Sequence, residues 1–315
     1  MSTAVASSPS APSASRLLGR VSLYRELAKS GIVALVLISV LGGYLVGHSP
    51  ELPFDWGRLA LTLFGILFLA SGSSALNQVQ EQHWDAMMPR TAKRPLPSGR
   101  MSRAEAVTFV GVTLALGLVL LALLGPDLLA YGVLAVISYN GFYTLWWKRK
   151  WAYAAVPGAI PGALPILMGH AAASGQAFSP AGAYLFFILF FWQMPHFWVL
   201  ALRFKDDYLL GGFPTLPAVR GSGITVERIV VWSLGYVGLA LIAPLFLGVG
   251  RIYLALAMLV SAKLLVELWR FSQSPESKRW LGFFLWVNFS LIILVGAAAI
   301  DLWSMNLAPS LFTDG

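Results

Sequence analysis

Asn77, Glu81 and Asp85 are spaced by four residues in a chain with few charges. On a helix of 3.6 residues per turn they form one stripe, with Asn77 and Asp85 about 12 Å apart along the axis. Three oxygen donors on one face suit a hard cation such as Mg²⁺. Pro89 then ends the helix, because a proline disfavours helical backbone at the residue before it. Arg90, Lys93 and Arg94 follow in the loop. Arginine offers a planar fork that matches phosphate oxygens, and lysine offers a point charge. An acid stripe leading straight into a basic loop places metal ligands beside phosphate binders; a plain topology signal would not need the acids. "RPLPSG" (94–99) should be a stiff, non-helical connection, and Ser102 with Glu105 has the spacing of a capping box opening the next helix. Arg100 and Arg103 read as solvated interfacial charges.

A second segment, "FFWQMPHFWVLALRFKDDYLLGGFPTLPAVRG" (190–221), has the same grammar. An apolar helix ends in a charged cluster, Arg203, Lys205, Asp206 and Asp207, followed by a proline-containing loop. Gln193 and His196 lie three apart and share a helix face. Polar groups within an apolar slab are costly and usually face a cavity or a partner. For His196 a helix–helix hydrogen bond and a substrate role both stay open. In "YNGFYTLWWKRK" (139–150), Asn140 and Tyr143 are candidates to point inward. Trp146 and Trp147 with Lys148, Arg149 and Lys150 read as an ordinary interfacial anchor. His48 and His170 read as structural.

These groups must be positioned by membrane helices. The 315 residues are 57% hydrophobic and only 11% charged, whereas a soluble domain carries about 25% charged residues. Nine apolar stretches have the ~20 residues a span needs: roughly 30–48, 58–80, 103–124, 128–146, 153–173, 180–202, 227–248, 251–271 and 280–303. The expected fold is all-α, a polytopic bundle of about nine transmembrane helices. The fifth span contains Pro157, Pro161 and Pro165 with Gly158 and Gly162, which predicts a kinked helix packed closely through its glycines. Residues 1–15, Ser/Ala/Pro-rich and uncharged, read as a disordered tail. Residues 16–303 form the transmembrane domain and 304–315 a C-terminal tail. Basic residues concentrate before the first span and in alternate loops, which puts the N-terminus and both charged segments on the cytoplasmic side. The net charge of +8 belongs to that bias rather than to nucleic-acid binding. Absence of cysteine excludes disulfides, thiolate ligation and a cysteine nucleophile.

A magnesium-bound diphosphate with a long hydrocarbon tail would satisfy the charged end and the apolar bundle together. The metal neutralises the diphosphate as it leaves, and Arg and Lys stabilise the developing charge. The electrophile would be an allylic cation, held in a dry cavity by aromatic faces. A transporter would suit the proline-rich helix and the half-repeat, but its acids should lie near the bilayer midplane rather than at one surface. A structural haem-binding subunit would not need the acid stripe.

"NQVQEQHWDAMMPRTAKRPLPSG" (77–99) resembles the N-x-x-x-D/E-x-x-x-D…M-x-R-T-x-x-R-P-L-x-x-G signature of the UbiA superfamily of intramembrane prenyltransferases. "WQMPHFWVLALRFKDDYLLGGFPTLP" and "YNGFYTLWWKRK…PGAIPGALPILMG" are similar to its haem-farnesylating branch. The resemblance covers about residues 20–303. It implies a nine-helix bundle in a bacterial-type inner membrane with a cytoplasmic active site, farnesyl diphosphate as donor and haem b as acceptor. Haem O and diphosphate would be the products, with haem A synthase or terminal oxidase assembly as downstream partners. Residue by residue it implies Asn77, Glu81 and Asp85 as metal or diphosphate residues and Arg90 and Arg94 as the basic pair. His196 becomes a candidate for haem binding or acid–base work. Lys205, Asp206 and Asp207 match the second motif. Two residues depart from the broad superfamily: Glu81 stands for an aspartate, and Arg203 stands where an aspartate is common. Arg203 and Lys205 could instead meet haem propionates.

Overall fold

The computed structural model describes residues 14–275 and 278–312. Among these there are helices, turns and no strand. Among the described residues, nine helices are long and apolar enough to cross a membrane. A shorter helix, α1 (Ala14–Leu27), precedes the first of them. The spanning helices are α2 (Ser30–Gly47), α3 (Trp56–Met87), α4 (Arg103–Leu124), α5 (Pro126–Lys150), α6 (Ala155–Ser174) and α7 (Pro180–Arg203). After the short α8 (Lys205–Leu210) come α9 (Leu216–Ile242), α10 (Arg251–Gln273) and α11 (Arg279–Phe312). The chain is thus an all-α, multi-pass membrane protein. The tail expected over residues 1–15 lies almost wholly outside the described residues.

Local sequence explains the boundaries that matter for the charged segments. α3 runs on past the apolar span expected from hydropathy and stops at Met87, with Met88 extended ahead of Pro89. The loop then turns repeatedly through residues 88–101, as its prolines require. Ser102 caps α4 by accepting from the Glu105 backbone N–H at 3.2 Å. Only half of the expected capping box forms, because the Glu105 carboxylate accepts from Arg20 (2.6 Å) and Tyr24 (2.7 Å) of α1 instead. The seventh span begins earlier than expected: α9 starts at Leu216 and breaks at Gly221, where φ is +81°. It ends before Pro244, which opens a separate turn, Pro244–Leu247.

Two features were not foreseeable from periodicity. Within α5, Ile137–Trp147 is a π-helix. The Thr144 hydroxyl follows that winding by donating to the carbonyl of Tyr139, five residues back, at 2.8 Å. A widened turn rotates every later side chain relative to an α-helix. The second feature is the junction of α1 and α2. Lys29 has φ 53° and ψ 52°, alone among described non-glycine residues in positive φ. Left-handed backbone at such a residue costs roughly 1–2 kcal/mol. Gln78 of α3 holds the turn by donating to the carbonyls of Glu26 and Leu27, both at 2.9 Å.

The proline- and glycine-rich α6 is the most buried span. Its prolines are four apart, so the carbonyls freed by Pro161 and Pro165 fall in one column and the helix stays continuous. Its glycines admit neighbours on three sides. A Cβ on Gly158 would meet the Tyr143 ring of α5 at 2.6 Å. One on Gly162 would lie 2.1 Å from Gln193 Oε1 of α7, and one on Gly169 would lie 2.1 Å from the Val40 carbonyl of α2. Small residues bring membrane helices this close, and α6 is the post around which α2, α5 and α7 are set.

Candidate active site

The stripe on α3 is buried: Asn77 is 2% exposed, and Glu81 and Asp85 are each 1% exposed. Buried carboxylates require partners, and each stripe residue has a basic one. Lys29 donates to Asn77 Oδ1 at 2.6 Å. Lys148 of α5 straddles both Glu81 oxygens at 2.7 and 2.8 Å. Arg94 of the loop binds Asp85 Oδ2 at 2.6 Å. The remaining oxygen, Asp85 Oδ1, is buried without a partner.

The second half-site joins the first through Arg90. Its Nε lies 3.8 Å from Asp207 Oδ2, and its guanidinium sits over Phe204 (5.0 Å) and Tyr208 (5.9 Å). Gly211 accommodates Met88 where the two loops pack. Lys148 also lies 4.6 Å from the Phe213 ring centroid. Two motifs more than a hundred residues apart in sequence therefore meet at one end of the bundle. Among the described residues, however, no three acidic or histidine side chains converge on one point, so the two acid pairs do not form a single cage in this conformation.

The other expected residues fall into two groups. Asn140 points inward, donating to the Ser73 carbonyl (2.9 Å) and to Gln80 Oε1 (3.3 Å). Beside it, Thr144 accepts from Asn77 Nδ2 at 3.2 Å. Tyr143 stacks on Tyr139 with ring centroids 5.8 Å apart and packs over Gly158. Lys93, Arg203 and Asp206 are exposed and Lys205 is half-buried; Arg203 leans over Trp280 of α11 at 5.7 Å. Gln193 and His196 meet different neighbours. Gln193 donates to Ala159 of α6 at 3.1 Å, whereas the His196 ring packs against Trp192 (4.9 Å) and Phe284 of α11 (5.0 Å). His196 Nδ1 is buried without a partner.

The reading of Lys148 and Arg149 as an interfacial anchor is corrected by the structure. Lys148 is in the site, and Arg149 covers the Trp84 ring at 3.7 Å while donating to the Gln80 carbonyl. The π-turn upstream directs this end of α5 onto α3. Lys29 is one of the basic residues before the first span, which by composition only orient the chain. Neither residue carried a sequence signal, because each looks like the flanking charge that any membrane helix has.

The chain matches the UbiA prenyltransferase family over residues 36–300. It belongs to that family, and it is an intramembrane enzyme. A relative from Bdellovibrio bacteriovorus called protoheme IX farnesyltransferase is 47% identical over 90% of this chain and 97% of its own. The fold is also similar to that of a solved digeranylgeranylglyceryl phosphate synthase (TM-score 0.74, 19% identity, 91% of this chain and 99% of that one). A UbiA homolog from Archaeoglobus fulgidus bound to GPP and Mg²⁺ aligns with TM-score 0.63 and 18% identity over 90% of this chain and 99% of that one.

Proposed function

We propose that this chain transfers the farnesyl group of farnesyl diphosphate to a vinyl group of haem b, protohaem IX. Water adds beside the new bond, and haem O and diphosphate are released. The observation that carries the reading of the donor is the buried Asn77–Glu81–Asp85 stripe meeting Arg94, Arg90 and Asp207 at one end of an apolar bundle. The farnesyltransferase relative of near-equal length supplies the acceptor.

The donor set fits a divalent cation. Two carboxylates and an amide oxygen line one face, and Asp85 Oδ1 waits buried and unpartnered. The Archaeoglobus homolog described with GPP and Mg²⁺ supports magnesium as the ion. Asn77, Glu81 and Asp85 would hold one ion, with Asp206 and Asp207 serving the second half-site. When bound, the metal supplies neutralisation of the leaving diphosphate. Arg94 and Arg90 stabilise the negative charge that gathers on the leaving group, with Lys93 at the loop rim. Tyr143, on the same helix as Lys148, gives the allylic cation an aromatic neighbour, and Asn140 braces α5 against α3. Arg203 and Lys205 lie at the rim, where haem propionates would be met. His196, with its free Nδ1, is placed to move the proton when water adds.

Residues 16–303 act as one transmembrane catalytic unit, with the charged end facing the cytoplasm of a bacterial inner membrane. The basic asymmetry of the loops supports this direction. The product would pass to haem A synthase or to terminal oxidase assembly. The test is direct: purified protein with haem b, farnesyl diphosphate and Mg²⁺ should yield haem O by mass. A folded protein that forms none, or that prenylates a quinone precursor instead, overturns the reading. His196→Ala should lower turnover on the order of a hundredfold or more while leaving farnesyl diphosphate binding intact.

A further inference from the structure

Each oxygen donor of the stripe is held by a base from a different part of the chain: Asn77 by Lys29 before α2, Glu81 by Lys148 of α5, and Asp85 by Arg94 of the loop. Fully ionised, the three bases carry one more charge than Glu81 and Asp85 together. A free dication approaching the stripe meets a surplus of positive charge at short range, in a buried place where screening is weak. A diphosphate meets the opposite field. We propose that Lys29 and Lys148 are diphosphate-binding residues that serve, before substrate arrives, as resident counter-cations of the stripe. Farnesyl diphosphate then docks first without metal, draws the two ammonium groups off Asn77 and Glu81, and so exposes the donors that admit the cation.

Independent features of the structure agree. Lys29 is held by strained left-handed backbone that Gln78 pins from α3, and such strain persists where function requires the placement. Lys148 directly follows the π-helical stretch Ile137–Trp147, whose wider turns change the face on which it emerges. Both contacts are made by flexible four-carbon stems with three donors each, which can exchange an amide or carboxylate oxygen for a phosphate oxygen without backbone movement.

The inference rests on the reading of the stripe as the diphosphate site, and binding measurements separate the two. The probes are farnesyl thiolodiphosphate, followed by titration calorimetry in EDTA, and Mn²⁺ alone, followed by loss of its free-ion EPR signal. Wild-type protein should bind the analogue in EDTA. Mn²⁺ alone should be taken up at least about tenfold more weakly than with the analogue present, after correction for chelation by the analogue itself. Lys148→Met should reverse that order, capturing Mn²⁺ without analogue. Lys29→Met, which strands no buried carboxylate and so should fold, should weaken metal-free analogue binding on the order of tenfold; Lys29→Arg should retain most of it. Wild-type protein that takes up Mn²⁺ equally well without analogue, or binds the analogue only when Mn²⁺ is present, overturns the inference and leaves the diphosphate site standing. Folded protein that binds the analogue under neither condition removes the diphosphate site itself.

Discussion

Asp85→Asn should lower kcat/KM for farnesyl transfer by about 10³-fold or more, equivalent to roughly 4 kcal/mol of transition-state stabilisation. Asp85 is 1% exposed and is the only stripe residue with an oxygen both buried and unpartnered. The substitution keeps the shape and an acceptor for Arg94 but removes the charge. A hard cation loses a ligand it cannot replace with an amide of the same strength. Arg94, bound at 2.6 Å, loses the anion that aims it toward the leaving group. Removing one partner of a fully buried pair destabilises by about 3–5 kcal/mol. Here Arg94 remains a quarter exposed and the amide still accepts, so the protein should stay folded. Haem O formation followed by mass, beside circular dichroism of the same sample, checks this. An Asp85→Asn enzyme with activity within a few-fold of wild type would remove the residue from the reaction.

Gly169→Val should destabilise the bundle by about 3 kcal/mol or more, at the upper end for overpacked cores. A Cβ at Gly169 would lie 2.1 Å from the Val40 carbonyl oxygen, and one at Gly43 would lie 2.1 Å from the carbonyl oxygen of Ile166. The obstacles are backbone atoms, so no rotamer relieves them. α2 would have to withdraw from α6, carrying Lys29 away from Asn77. Stability and activity should therefore fall together. Gly111→Ala is the control: nothing lies within 4 Å of its Cβ position, and alanine in a helix is favoured by about 0.5–1 kcal/mol. Thermal unfolding in detergent measures both. A Gly169→Val protein that unfolds at the wild-type temperature contradicts the packing described here.

The capping of α4 and the stop of α3 before Pro89 were legible because caps and prolines act within a few residues. That Arg90 and Arg94 lie beside the stripe follows from the same local logic; its burial and its pairing with Arg94 do not. The run Trp146–Lys150 misled for a physical reason. Interfacial aromatic and basic residues have one composition whether they anchor a helix in lipid or fold onto a neighbour. The π-turn that decides between these is held partly by contacts with α3, such as Asn77 to Thr144. Gln193 and His196 likewise share a helical face on paper, yet α6 and α11 lie on either side of it and each takes one.

By itself the order of amino acids determined the class of fold, the nine spans and the two charged segments. All three depend on hydropathy and on residues a few positions apart. Only the tertiary structure decided which base meets which oxygen. Lys29 is 48 residues from Asn77 and Lys148 is 67 from Glu81, and a flanking lysine has the same local chemistry wherever it points. Its partner is chosen by how closely helices approach, and here that is decided by glycines on α2 and α6 and by the widened turn of α5.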